Sequence, residues 1–233
     1  AAAEIILKNS FGYDYYEAKI PYESCGNYDT GLYELMTDMR LKMFRFAQRD
    51  DIPLSGKLFS ILNYADIMQK RYDSFEVSKC DIVHIRCKKG DPDIEGLMNF
   101  LSGLESMESK NIFNFTGKDK IYELYKNFPA VKKYLINIFD YFIWRHFLKG
   151  VYDEEFYSRT AFAVISTVIA AFMFAFAYNK NGKFSLNAAV KCCVHYSKEI
   201  EYSESNMNTF LDAFYDDNIF SKEKLEALCF TLL

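Results

Sequence analysis

The run between Arg159 and Lys180 carries no charged side chain, and no other stretch of this 233-residue chain restricts its fold as much. A segment of that length suits either a bilayer-spanning helix or the enclosed central helix of a helical protein. We read a buried central helix running from Asp153 to about Tyr178. Alanines, Ser166 and Thr167 punctuate it, and small residues let neighbouring helices approach closely. The chain offers no second span as a partner and no basic bias at the flanks. Asp153, Glu154 and Glu155 are expected in the first turn, where the helix dipole favours acids.

The rest of the chain supplies helices to enclose it. Leu32, Leu35, Met36, Met39 and Met43 recur at intervals of three and four. They predict a helix capped by Asp29 or Thr30 and closed by Arg49, Asp50 and Asp51 before Pro53. Ser55 is expected to open a second, antiparallel helix carrying Leu58, Ile61, Leu62, Ala65 and Met68. Asp91, Pro92 and Asp93 start another. Residues 119–148 read as helical with an interruption at Pro129, and 179–183 as a turn. Ser185, Ser203 or Ser205, and Ser221 are candidate caps for the last three helices. Residues 1–20 suggest a short helix and then a Tyr-rich extended piece, and 109–118 a loop pinned by Ile112, Phe113 and Phe115. Residues 73–90 leave a strand, a helix extension and an extended loop open. The expected fold is all-α: an irregular multi-helix bundle around a central apolar helix, with one short strand or hairpin near 73–90 as an alternative. The organisation is either two helical subdomains, 1–118 and 119–233, or one continuous domain.

Charge and cysteine usage narrow the function classes. A net charge of −4 without a basic stripe argues against nucleic-acid binding. The six cysteines show no C-x-x-C pair, and their scatter fits isolated thiols in a reducing cytosol. The chain opens without a signal peptide and without Met, and reads as a fragment of a longer protein. No P-loop, G-x-G-x-x-G, H-E-x-x-H or G-x-S-x-G motif is present. Cys80, His84 and Cys87 lack a nearby fourth ligand, so no metal is assigned. Cys192 and His195 could meet on a helix face, but no orienting acid follows at a suitable spacing.

Two constellations stand out. Asn137, Asp140, Tyr141, Arg145 and His146 interrupt a strongly aromatic helix; Asn137, Tyr141 and Arg145 lie four positions apart and share one side. They read either as a hydrogen-bonded network joining helices or as the wall of a substrate pocket. Tyr196, Glu199 and Glu201 fall in the run 195–203, which reads either as a solvated helix end or as part of a site. The tyrosine load suits a lysine pocket, since aromatic faces attract ammonium groups, and equally an aromatic core.

The run Tyr134 to Phe147, with its Leu135-Ile136-Asn137-Ile138 core before a long apolar helix, resembles the C-terminal segment of the flagellin lysine-N-methylase family. Ile138 stands where that core has Tyr. Tyr196 to Ser203 is similar to the family's Ser-Arg-x-Ile-Glu-His-like segment, with Lys198 for Arg and Tyr202 for His. Leu32 through Gln69 resembles the family's helix pair, and residues 2–7 resemble the segment next after its cysteine-rich region. The family's cysteine motifs are missing from this sequence. The resemblance implies a bacterial, cytoplasmic protein lysine N-methyltransferase that moves a methyl group from S-adenosylmethionine to lysines of flagellin. It places any iron–sulfur cluster in an N-terminal region that this chain lacks, so catalysis by this chain alone is left open. If the site lies here, the resemblance points to Tyr141, Glu199 and Glu201 as catalytic residues and to Asn137, Arg145 and Tyr196 as substrate-binding residues. Glu199 or Glu201 would accept the lysine proton, Tyr141 and Tyr196 would line the lysine channel, and Asn137 and Arg145 would orient neighbours or bind a carboxylate. The other reading is a non-catalytic helical module or scaffold that recognises flagellin or another protein. No nucleic-acid or membrane partner is expected, and the oligomeric state is not specified.

Overall fold

A computed structural model describes residues 30–76, 80–87, 90–104 and 118–232. The readings for residues 1–29 and 109–117, Asp29 and Cys25 included, lie outside the described residues. Within them the chain is all-α. The helices are α1 (Thr30–Ala47), α2 (Leu54–Asp73), α3 (Ile94–Ser102), α4 (Lys118–Asn127), α5 (Val131–His146), α6 (Gly150–Asp153), α7 (Phe156–Asn181), α8 (Leu186–Tyr196), α9 (Glu204–Ala213), α10 (Asp217–Phe220) and α11 (Lys222–Phe230). A short 3₁₀ turn, Phe147–Lys149, links α5 to α6, and a π-helical turn, Ser197–Glu201, extends α8.

The charge-free segment becomes α7, the one described helix long and apolar enough to cross a membrane. Here it is a core helix: every residue from Ser158 to Ala175 is buried. Helices α2, α4, α5, α8, α9 and α11 all pack against it. Burying so much apolar surface is the main favourable term for such a bundle. Ser166 and Thr167 are tolerated because their hydroxyls donate to Phe162 and Ala163 carbonyls, at 2.6 and 2.8 Å. Gly182, at φ 62°, ends the helix in the left-handed conformation.

The start of α7 differs from the expectation. The acids precede the helix: α6 ends at Asp153, Glu154 takes φ 60°, and Glu155 offers no side-chain cap. Asp153 pairs with Arg159 instead. The cap comes from α2. Gln69 Oε1 accepts from the backbone N–H groups of Phe156 and Tyr157, at 3.0 and 3.2 Å, and Gln69 Nε2 donates to the Glu154 carbonyl at 2.9 Å. One amide thus serves orphan donors at the helix start and a turn carbonyl before it. Gly150 makes the preceding reversal: a Cβ there would lie 2.7 Å from Met36 Cε and 3.0 Å from the Glu155 carbonyl oxygen.

Elsewhere the local signals hold. Ser185, Ser203 and Ser221 each accept a hydrogen bond from the backbone N–H three residues on, and Asp93 does the same for α3. The interruption at Pro129 separates α4 from α5. Helix α2 begins at Leu54, one residue before the expected Ser55. No strand forms among the described residues, so the strand reading of 73–90 is set aside: α2 runs on to Asp73, and 80–87 is irregular. Its backbone bonds to side chains rather than to a partner strand. Ile85 N–H donates to Ser60 Oγ at 2.8 Å, Ser60 Oγ lies 3.3 Å from the Ile85 carbonyl, and Lys42 Nζ donates to the Cys80 carbonyl at 2.8 Å.

Candidate functional site

The two sequence constellations meet at one carboxylate. Helix α5 is apolar around most of its circumference, so its few polar side chains are carried inward with it. Helix α8 runs into the π turn, closed by the Tyr202 N–H donating to the Ser197 carbonyl at 2.9 Å. The wider turn breaks the 3.6-residue register. As a result Glu199, Ile200 and Glu201 are all buried in succession. The solvated-end reading of this run is therefore corrected at both acids.

Glu201 has 0% side-chain exposure. The Tyr141 hydroxyl donates to its Oε1 at 2.5 Å, Arg145 Nε lies 2.5 Å from the same oxygen, and His146 Nε2 lies 3.5 Å from it. Burial pushes the carboxyl pKa up, but His146 close by and the hydrogen bonds from Tyr141 and Ser197 outweigh it and hold the pKa below the usual range. Burial holds the His146 pKa down, so its imidazole is neutral at neutral pH. Burial, and then the hydrogen bond to Glu201, push the Tyr141 phenol far up. The arrangement is a carboxylate anion receiving a phenol proton donor and a guanidinium.

Arg145 connects this buried charge to the surface. Its side chain is 36% exposed, and its guanidinium carbon sits 5.7 Å from the ring centroid of Tyr202, which faces solvent. An anion beneath and an aromatic face alongside is what a cation requires.

The other expected residues fall in different places. The Tyr196 hydroxyl is 2.7 Å from Ser166 Oγ; Ser166 donates to the Phe162 carbonyl, so Tyr196 is the donor. Its ring meets Phe142 edge-on, at 5.7 Å between centroids. Tyr196 is a packed core residue beside the cluster. The Glu199 carbonyl accepts from Asn206 Nδ2 at 2.8 Å, which ties the π turn to α9. Asn137 is buried one helical turn before Tyr141, and its Oδ1 has no hydrogen-bond partner among the described residues.

His146, Ser197 and Tyr202 complete the Glu201 cluster. His146 belonged to the polar stripe seen in the sequence, whereas Ser197 and Tyr202 were present only as neighbours of the glutamates. Asp140 faces elsewhere. Its Oδ2 accepts from Gln48 Nε2 of α1 at 2.6 Å, and burial pushes its pKa up to about 7. Cys80 Sγ lies 3.4 Å from Met68 Sδ and Cys87 Sγ 3.2 Å from the Glu226 carbonyl, so each thiol is engaged by a different helix. Among the described residues no group of three His, Cys, Asp or Glu could hold a metal ion. Cys192 Sγ contacts the Met173 carbonyl at 3.8 Å, and burial pushes its pKa up to about 11, which leaves it a protonated thiol.

The family described as FliB lysine N-methylase C-terminal domain matches residues 86–228. The match covers both the α5 cluster and the π turn; the similarity noted for Leu32 to Gln69 lies outside it. No curated protein and no solved structure matches the chain.

Proposed function

The chain belongs to the FliB lysine N-methylase C-terminal domain family, and from that premise we propose that it is part of a protein lysine N-methyltransferase acting on flagellin, with the Glu201 cluster as its lysine receptor. The observation that carries this reading is the cation already seated there. Arg145 lies on the Glu201 carboxylate and beside the Tyr202 ring while remaining partly exposed. A substrate lysine ammonium has the charge to take that place when Arg145 swings toward solvent. Tyr141 would keep Glu201 oriented through its hydroxyl.

The pKa directions divide the roles. A carboxylate held below its usual range is a good counter-ion and a weak base, so Glu201 binds the ammonium rather than deprotonating it. His146, neutral and 3.5 Å from the carboxylate, is the better proton acceptor. The lysine must shed its proton before its nitrogen can attack a methyl carbon. S-adenosylmethionine supplies that methyl group by family implication. The cavity beside the cluster, bounded by Phe142, Ser166, Cys192, Tyr196 and Ser197, has a volume of about 10 Å³. That is room for one water, so this cavity does not fit the donor. Around Glu201, this chain's residues hold a cation and move a proton.

The test has two stages. Intact-mass analysis follows methylation of flagellin by this chain alone and by a longer form carrying the cysteine-rich region that the resemblance implies. A flagellin lysine peptide is then titrated into wild type, Glu201→Gln and Arg145→Ala. The expected result is loss of peptide binding in Glu201→Gln and retained or tighter binding in Arg145→Ala. Equal binding by all three would remove the receptor reading.

A further inference from the structure

The Glu201 cluster opens onto a rim where cations outnumber anions. Helix α5 ends at His146, and the chain continues through the 3₁₀ turn Phe147–Lys149. Arg145 and Lys149 are four positions apart across that junction, and Phe147 keeps helical dihedrals at φ −60° and ψ −49°, so the two side chains come to the same side. Arg159 approaches from α7: its Cδ lies 3.3 Å from where a Cβ on Gly150, next to Lys149, would stand. Three cations thus gather around one turn.

Two of the three are engaged. Arg159 pairs with Asp153, and Arg145 with Glu201. Lys149 is exposed and makes no hydrogen bond or ion pair among the described residues. Its pKa is held down first by partial burial, then by repulsion from Arg159 and from Arg145, each outweighing the attraction of Glu201. Glu155 does not relieve it, since that acid stands among the charges of Asp153, Asp73, Arg159 and Glu154. Seating a substrate lysine would sharpen the imbalance. The incoming ammonium takes the Glu201 carboxylate and frees the Arg145 guanidinium, one helical turn from Lys149. Like charges at that spacing destabilise each other, and an anion brought to them is attracted by both.

We infer that the site selects lysines flanked by an acidic side chain, with Lys149 and the released Arg145 receiving that carboxylate while Glu201 receives the ammonium. The inference rests on the receptor reading of Glu201 and adds to it the context in which a lysine is accepted. A guanidinium takes a carboxylate through two parallel N–H donors, so the released Arg145 is suited to the exchange. A lysine set among other basic residues meets repulsion from the same two cations and is disfavoured. Lys149 is the specificity-determining residue, because it stands at the rim whether or not Arg145 has moved.

The test uses the whole chain and a flagellin lysine peptide in three versions, with the residues on either side of the lysine set to Asp, Asn or Lys. Fluorescence anisotropy at low salt should rank their affinities in that order. The Asp peptide should bind about threefold to tenfold tighter than the Asn peptide, the size of one or two partly exposed ion pairs. Added salt should compress the ranking. Lys149→Gln should narrow it and Lys149→Glu should reverse it; the position is exposed, and thermal melts check the fold of both variants. Lys180→Gln, at the far end of α7, removes the same charge and should keep the wild-type ranking. Glu201→Gln should lose all three peptides. If no peptide binds, or Glu201→Gln leaves binding intact, the receptor reading falls and this inference with it. If binding needs Glu201 but the three peptides bind equally, or Lys149→Glu keeps the wild-type order, the selection of acidic context alone is overturned.

Discussion

Arg145 Nε and Glu201 Oε1 stand 2.5 Å apart, joining a partly exposed guanidinium to a carboxylate that solvent does not reach. The pair bridges α5 and the π turn, 56 positions apart in numbering, and the Tyr141 hydroxyl shares its oxygen.

Removing the charge at Glu201 should weaken the fold. Glu201→Gln leaves Arg145, Tyr141 and His146 around a neutral amide. Arg145 can rehydrate, which limits the cost to about 1–3 kcal/mol at pH 7. The sign with pH comes from a folded pKa below the unfolded value of about 4.3. The carboxylate's contribution is fully present above that value and is lost as pH falls through the folded pKa. Urea denaturation at pH 7 and near pH 3.5 should therefore show the gap between wild type and variant shrinking with acid. A gap independent of pH would contradict this.

Asp140 should behave in the opposite sense. Burial raises its pKa to about 7, from about 3.9 in the unfolded chain. The folded state holds the proton more tightly, so stability falls as pH rises from about 4 to about 7 and levels off above. Asp140→Asn removes that penalty while its oxygen can still accept from Gln48. At pH 8 the variant should exceed wild type by on the order of 4 kcal/mol, with little difference near pH 4. Thermal melts at the two pH values decide it.

Gln69→Ala should destabilise by about 1–2 kcal/mol, the cost of losing a helix cap. Gln69→Glu keeps an acceptor for the Phe156 and Tyr157 N–H groups and should recover part of that loss. Amide hydrogen exchange at the first turn of α7 should rise in the alanine variant and not at its far end.

Two glycines separate crowding from backbone strain. Gly182→Ala meets nothing within 4 Å but must hold φ 62°, at a cost of about 1 kcal/mol. Gly150→Ala meets a backbone oxygen as well as Met36 and should cost more, about 1–3 kcal/mol. Chemical denaturation of both variants should keep that order.

Most of the fold was legible because its signals are local. The charge-free run predicted α7, three serines predicted their caps, and Pro129 predicted the break before α5. The misread start of α7 and the open choice at 80–87 share a physical cause: each depended on a partner distant in sequence. Acids before α7 suggested a first turn, but the cap comes from Gln69 on another helix. Of the readings left open for residues 73–90, the extended loop holds at 80–87, where Ser60 takes the backbone bonds. At the site, Tyr141, Arg145 and Glu201 were named from pattern and resemblance, and the structure brings them together. Whether they act on lysine is the subject of the peptide titration. The burial of Glu199 and Glu201 could not be read, because a π turn leaves no mark in a 3.6-residue pattern.

The cap on α7 also bears on where this protein can be divided. The family match begins at residue 86, whereas Gln69 lies before it. Asn63 and Asp66 of the same helix receive Lys222, near the other end of the match, each at 2.7 Å. A chain cut at the start of the match would keep every residue of the Glu201 cluster and lose the scaffold that begins its central helix and anchors its last one. The stretch that sequence kinship recognises leaves out these contacts of α2.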